Sequence, residues 1–128
     1  MKVKIYLYTI LIIILFAFTS SCLDSNNLLR KPDEKIKEEI LALTPIGSSM
    51  EDVIRVIDGN EDWLWYQRYI VPRGYPENAN YNTFIGSRSI RVILGFYRHG
   101  LFSVGVSCYW GFDENDNLLD VRIRKDAR

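Results

Sequence analysis

Residues that could carry catalysis are few in this sequence, and their spacing does not suit it. The 128 residues include a single histidine, His99, in an expected turn, and two cysteines. A zinc site needs several His or Cys ligands close together, and covalent catalysis needs a nucleophile beside a base. The sequence therefore predicts no catalytic residues, no metal site and no cofactor.

One polar stretch has part of the spacing of a calcium-binding loop. Asp113, Asn115 and Asn117 occupy its first three ligand positions. That loop also requires a glycine where this chain has Leu118 and a glutamate where it has Arg124. We expect a polar hairpin turn here instead of a cation site.

Residue types that anchor protein contacts are concentrated between residues 63 and 84. Trp and Tyr fall on both faces of an expected strand over residues 63–70, and the connection at 72–88 is longer than most loops, which is common in functional loops. Exposed Trp, Tyr and Arg side chains dominate binding energy at interfaces. We expect Arg73 and Tyr75 to lie on this loop and to contribute little to packing. The candidate partner-binding residues are Trp63, Tyr66, Arg73, Tyr75, Tyr81 and Phe84.

The same stretch leaves two alternatives open. The loop could simply cover these rings as part of the core. The sheet and loop could also enclose an apolar pocket for a small ligand or lipid. A pocket lined by Trp63, Tyr66 and Phe84 would favour the ligand-binding alternative.

The N-terminus has the order of a secretory signal. Lys2 and Lys4 precede an apolar run at 5–18, which is followed by small residues and Cys22. A helix over that run would reach only about 21 Å, less than the hydrocarbon core of a bilayer. The two serines before Cys22 are similar to a bacterial lipobox, so we predict a signal peptide at 1–21 and a lipidated Cys22. Thr19 is unusual there, which leaves an ordinary signal peptide or an uncleaved anchor as alternatives.

The expected location and charge restrict the partners. Sixteen basic and sixteen acidic residues give no net charge, so nothing favours nucleic acid. We expect the membrane to be a partner through Cys22 and an envelope protein to be a second one. Cys108 would have no disulfide partner after lipidation and is expected to be a small buried side chain. The predicted organisation is a tether at 22–31 and a single domain at 32–128.

Two helices are predicted at the start of this domain. Pro32 opens the first, which carries Ile36, Ile40 and Leu43 on one face and ends near Leu43. Ser49 can cap the second helix, whose apolar stripe includes Val53, Val56 and Ile57, and which closes at Asp58 and Gly59.

Beyond residue 63 the apolar spacing changes to two, which is typical of strands. Strands are predicted at 63–70, 90–97, 102–112 and 119–124. The order of elements predicts an α+β fold in which two N-terminal helices pack on one face of an antiparallel sheet of about four strands.

The alternation also assigns residues to faces of the sheet. Phe96 is expected on the core face with Ile90, Val92 and Leu94, and Leu119 with Val121 and Ile123. The strand at 102–112 is longer than usual, so Gly105 or Gly111 is expected to mark a bulge or bend. Its expected core residues are Phe102, Val104, Val106, Cys108, Trp110 and Phe112.

Three short motifs carry a family resemblance. The segment Ile46-Gly47-Ser48-Ser49-Met50-Glu51-Asp52-Val53 resembles the helix opening of the SmpA/OmlA (BamE-like) small outer-membrane lipoproteins, and Trp65-Tyr66 and Phe112-Asp113-Glu114-Asn115 are similar to later parts of that family. The related β-lactamase-inhibitor-like fold has two helices on an antiparallel sheet, and its members bind proteins. The resemblance implies a noncatalytic accessory or inhibitor-like binding protein, anchored in the outer membrane and facing the periplasm.

Overall fold

The computed structural model describes residues 2–6, 8, 27–63, 70–78 and 81–128. The expected cleavage site, Cys22 and residues 64–69 of the predicted first strand lie outside these ranges. No helix within the described ranges is long and apolar enough to span a bilayer.

Part of the predicted tether at 22–31 contacts the domain. Leu28–Arg30 form a short 3-10 helix, capped by the side chain of Asn27, which accepts a hydrogen bond from the Leu29 N–H. Leu28 and Leu29 pack against the hydrophobic core. The end of the predicted tether is therefore held by the domain.

Two α-helices follow, α1 at Asp33–Leu43 and α2 at Met50–Asp58, and both end where the sequence predicts. The Ser49 hydroxyl caps α2 as expected, accepting a hydrogen bond from the Asp52 N–H at 3.2 Å. The prediction that Leu43 is a core residue is wrong, because this side chain is exposed. Thr44, the next residue, is buried in its place, since its hydroxyl and N–H both bond to the Ile40 carbonyl as α1 ends.

The α+β class and the four-stranded antiparallel sheet are confirmed. The strands are β1 (Ile70–Val71), β2 (Tyr75–Pro76), β3 (Phe84–Ile85), β4 (Arg88–His99), β5 (Phe102–Phe112) and β6 (Leu118–Ala127). The sheet has the order β1-β4-β5-β6, and a separate pair of strands, β2 and β3, forms a small hairpin inside the long connection.

A bulge in β4 reverses the predicted faces of its second half. Ile93 pairs with Ser107 and Gly95 with Val106, so Leu94 is an extra residue without a partner in the register. One extra residue moves every later side chain to the other face. Phe96 is consequently exposed, contrary to the prediction, and Tyr97 packs against the core instead.

A second register shift exchanges the faces of Leu118 and Leu119 at the start of β6. Gly111 pairs with Asp120 and Phe112 with Leu118, which leaves Leu119 as the extra residue. Leu118 is buried and Leu119 exposed, so the prediction that Leu119 belongs to the core is wrong. The expectation of an irregularity at Gly111 is confirmed.

The core draws side chains from both helices and from β4, β5 and β6. Trp110 lies at its centre, fully buried, and its indole Nε1 donates a hydrogen bond to the Thr44 hydroxyl at 3.1 Å. Cys108 is fully buried as predicted, and this burial raises the pKa of its thiol well above the ordinary value. Phe102, at the start of β5, is exposed rather than part of the core.

The loop before α2 is bonded to the start of β6. The Gly47 N–H donates to the Leu118 carbonyl and the Leu118 N–H donates to the Ser48 carbonyl, both at 2.8 Å. Gly47 has φ of 89°, a left-handed conformation that favours glycine. The Met50 N–H donates to the Asp116 carbonyl at 2.8 Å. The start of α2 is therefore fixed to the β5–β6 turn.

Candidate binding groove

The β2–β3 hairpin folds back onto β5. A Cβ atom on Gly111 would lie 2.8 Å from Tyr75 Cε1 and 3.0 Å from the Ile85 carbonyl oxygen, so this approach requires glycine. The neighbouring residues of β5, Trp110 and Phe112, belong to the core. Because side chains alternate along a strand, the hairpin meets the face of the sheet opposite the core.

Tyr75 fixes the hairpin to this face. Its side chain is only 2% exposed, and its ring lies 6.0 Å from that of Tyr109. The expectation that Tyr75 contributes little to packing is therefore wrong. Its buried hydroxyl has no hydrogen-bond partner within the described ranges. Burial and then the nearby Asp120 carboxylate raise the pKa of Tyr75 far above its ordinary value, so the hydroxyl stays protonated.

A groove with a volume of about 630 Å³ lies between this hairpin, β1 and the face of the sheet. We call it the arginine groove. Four of the six predicted binding residues, Arg73, Tyr75, Tyr81 and Phe84, are among its lining. The described residues that line it are Val71, Pro72, Arg73, Gly74, Tyr75, Pro76, Tyr81, Phe84, Ser89, Arg91 and Tyr109.

Two arginines in the arginine groove lie against aromatic rings. The guanidinium carbon of Arg73 is 5.4 Å from the ring centre of Phe84, and that of Arg91 is also 5.4 Å from the ring centre of Tyr109. The Ser89 hydroxyl donates to the Arg73 carbonyl at 2.8 Å and holds the loop to β4. Across the part of the chain that the structure describes, no carboxylate forms an ion pair with either arginine.

Sequence reasoning missed Arg91 and Tyr109, which the bulge at Leu94 brings together. The two residues are directly opposite each other in the β4–β5 register. Without the extra residue, the same hairpin would place Arg91 opposite Trp110, on the core face. The interior Gly95 is the one sequence signal for this bulge, because glycine inside a strand pattern often marks one.

Tyr81 forms the exposed rim of the arginine groove. Its φ of 54° is unusual for a bulky residue. The hydrogen bond from Arg124 to Asp126 and, more weakly, the hydrogen bond to Tyr81 raise the pKa of Arg124. Tyr81 is thus linked to β6 while its side chain remains largely exposed.

Of the other two predicted binding residues, one packs against the core and the other is not described by the structure. Trp63 packs against the core, with its ring 6.1 Å from that of Trp110. Tyr66 lies outside the described residues. The structure therefore does not bring Trp63 together with Phe84.

A second, more polar cavity of about 450 Å³ lies between α1, β6 and the hairpin. It contains both acidic and basic groups, and Lys37 pairs with Asp120 across it at 3.0 Å. Four of its described lining residues are acidic and two are basic, so this cavity is acidic overall, in contrast to the arginine groove.

The basic residues of β6 are engaged within the protein. Arg122 donates to the Pro76 carbonyl, and Arg124 pairs with Asp126 at 3.0 Å. Lys125 donates to the Lys31 carbonyl at 2.6 Å and lies 3.5 Å from Asp33. These contacts hold the hairpin, α1 and the N-terminal segment to the edge strand.

The stretch with partial calcium-loop spacing is a polar hairpin turn, as predicted. Asp113 Oδ1 accepts hydrogen bonds from the N–H groups of Asn115 and Asn117 at 2.8 and 2.9 Å. His99 is the exposed last residue of β4, next to the turn. Over the described ranges, no group of three or more His, Cys, Asp or Glu side chains is arranged to hold a metal ion.

The chain matches no family model, no curated protein and no solved structure.

Proposed function

We propose that this protein is a lipid-anchored, noncatalytic envelope protein that acts as a protein-interaction module and binds its partner in the arginine groove. The order of charged, apolar and small residues before Cys22 supports the anchor. The motif around Gly47 supports an accessory or inhibitor-like role similar to that of the BamE-like lipoproteins, in the outer membrane and facing the periplasm.

The observation that carries the binding proposal is the pair of arginines stacked on rings, with no carboxylate among the lining residues that the structure describes. Stacking orients a guanidinium while leaving its N–H donors free for a carboxylate or phosphate. Arg and Tyr are the residue types that contribute most to binding energy at interfaces. A protein segment with acidic and apolar side chains fits this chemistry.

The placement of the helices belongs to the same proposal. We infer that α1 and α2 lie on the core face, which leaves the groove face to a partner. The hydrogen bond between Thr44 and Trp110 and the shared core support this arrangement. A rigid sheet would then present Arg91 and Tyr109 on its free face.

The groove lining also suits binding better than catalysis. Its lining within the described ranges contains no histidine, cysteine or carboxylate that could exchange a proton near neutral pH. The raised pKa of Tyr75 keeps that hydroxyl protonated and makes it a poor base.

The test is capture of the partner by charge-reversed variants. The double variant Arg73→Glu, Arg91→Glu should lose partners that the wild-type chain retains after crosslinking in intact cells. The control, Lys35→Glu with Arg55→Glu, makes the same charge change on exposed helix positions and should retain them. Equal capture by both double variants, with both folded by circular dichroism, would place the interface elsewhere.

Small-ligand binding is the second candidate, because a volume of about 630 Å³ lies within the range of small-molecule sites. Native mass spectrometry of the solubilised protein distinguishes the two. An anionic small molecule that stays bound to the wild type and is absent from the Arg73→Glu, Arg91→Glu variant would favour the ligand. Partner capture without such an adduct favours the interaction module.

A further inference from the structure

The two hairpins at opposite ends of β5 differ in chemistry. The outer half of the β4–β5 hairpin has three exposed apolar side chains, Leu101 and Phe102 at the turn and Phe96 farther along β4 on the opposite face from Phe102, which we call the apolar tip: Leu101 is 95% exposed, Phe102 59% and Phe96 48%. The β5–β6 turn at 113–117 consists only of Asp, Glu and Asn residues. Exposed apolar clusters usually mark a surface for binding, whereas the polar turn is suited to water.

The N-terminal segment meets the sheet near the apolar tip. Leu29 lies over Gly95, since a Cβ atom there would be 2.9 Å from Leu29 Cδ1. The guanidinium carbon of Arg30 is 5.1 Å from the ring centre of Tyr97. Both contacts are in the half of β4 that leads to the turn at Gly100.

Chain length then limits how far the predicted anchor can be from the apolar tip. Asn27 is five positions after Cys22, a span of at most about 18 Å when fully extended. Leu101 is six positions after Gly95, which corresponds to about 20 Å along a strand. A lipid on Cys22 therefore keeps the bilayer surface within reach of the tip. Because Gly95 pairs with Val106, the turn that begins at Asp113 is seven residues, or about 23 Å, from the same contact point, so the side chains of the two turns, and not chain length, decide which end meets the bilayer.

The charge around the apolar tip suits a lipid headgroup layer. Arg98 and His99 precede the turn, and residues 96–103 include no acidic side chain. Asp126, which lies opposite Gly105 in the β5–β6 register, is paired with Arg124. The C-terminal Arg128 is bonded to Ser103 through two backbone hydrogen bonds, at 2.8 and 3.2 Å. Aromatic and aliphatic side chains flanked by cations are typical of segments that rest in the interface of an anionic membrane.

We propose that the apolar tip, Phe96, Leu101 and Phe102, rests in the lipid interface and orients the domain, with the β5–β6 turn directed away from the bilayer. This inference rests on the proposed membrane anchor, and it holds whether the anchor is a lipid on Cys22 or the uncleaved segment at 5–18. Because the tip and the arginine groove are different surfaces, it does not depend on the groove binding a protein.

The experiment places a fluorophore at each end of β5. Leu101→Cys and, as the matched control, Glu114→Cys are labelled in the full chain with an environment-sensitive dye and reconstituted into vesicles of phosphatidylethanolamine and phosphatidylglycerol. Both positions are exposed, so both labels should be tolerated. The unaltered chain, treated alike, measures any labelling of Cys22, while Cys108 is buried.

We expect the label at 101 to be quenched by nitroxide-labelled lipid and to be several-fold less accessible to aqueous iodide than the label at 114. Equal iodide access at both positions, with the protein floating with the vesicles, would overturn the tip proposal alone. A chain that does not float with vesicles would overturn the anchor together with the tip. Partner capture by the groove variants is a separate measurement, and its outcome changes neither of these two results.

Discussion

The hydrogen bond between Thr44 and Trp110 provides a quantitative test of how α1 joins the sheet. Thr44 is buried at the end of α1, and its hydroxyl accepts from the fully buried indole Nε1 of Trp110 at 3.1 Å. The substitution Thr44→Val keeps the size and removes the acceptor. The Ile40 carbonyl remains bonded, because the backbone N–H of residue 44 also donates to it at 2.8 Å.

The expected cost comes from the indole N–H that is left without a partner. A buried donor deprived of its acceptor costs about 1–3 kcal/mol. Thr44→Ser keeps the hydroxyl and loses one methyl group, for about 0.8 kcal/mol. Thr44→Val should therefore be the more destabilising of the two, although it is the closer match in volume.

Urea unfolding of the detergent-solubilised chain, followed by far-UV circular dichroism, measures both variants. In a Trp110→Phe background there is no indole donor, so Thr44→Val should lose most of its effect, which gives a coupling energy of about 1 kcal/mol or more. A Thr44→Val variant as stable as Thr44→Ser, or an equal cost in both backgrounds, would refute the bond as a link between α1 and β5.

Three further predictions concern the core, the pH dependence and the anchor. Val106→Ala should lower the free energy of unfolding by about 1–3 kcal/mol in a urea titration, and Val71→Ala, at an exposed position, should change it little. The pKa values of the Cys108 thiol and the Tyr75 hydroxyl are raised in the folded state. The stability that these protonated groups contribute to the fold is therefore complete below pH 9.0, the pKa of the thiol in the unfolded chain. This contribution is lost as the pH rises above that value, so the free energy of unfolding should fall there in a series of urea titrations at increasing pH. The fall should be less steep in Cys108→Ala. A free energy of unfolding that does not change with pH would contradict the burial of these two groups. Cys22→Ala should abolish incorporation of labelled fatty acid, and unchanged incorporation would exclude lipidation at this residue.

The sequence was sufficient for the two α-helices and the long strands β4, β5 and β6, but not for the β2–β3 hairpin or for the faces of two strands. Helix ends, the Ser49 cap and the limits of β5 followed from local signals that tertiary structure did not override. The sequence did not reveal the two bulges, because near each one the two residues that could face the core have similar side chains. Phe96 and Tyr97 are both aromatic, and residues 118 and 119 are both leucine, so hydropathy could not choose between the two phases.

The candidate site depended on contacts that no local pattern contains. The exposed-loop assignment of Tyr75 failed because the loop folds onto Gly111, a close approach that depends on the absence of a side chain at that position. Arg91 joined the site only through the register set by the bulge at Leu94. Long-range register is the feature that a single sequence specifies least directly.

Site-specific photo-crosslinking in living cells tests the central proposal, a protein partner in the arginine groove, most directly. A photoreactive amino acid at Phe84 would project from the groove lining, and one at Leu43, exposed at the end of α1, serves as the control. We predict a protein adduct from position 84 that disappears when Arg73 and Arg91 are changed to glutamate, and no such adduct from position 43. The same adduct from both positions, or an adduct at 84 that survives the loss of both arginines, would contradict the proposal.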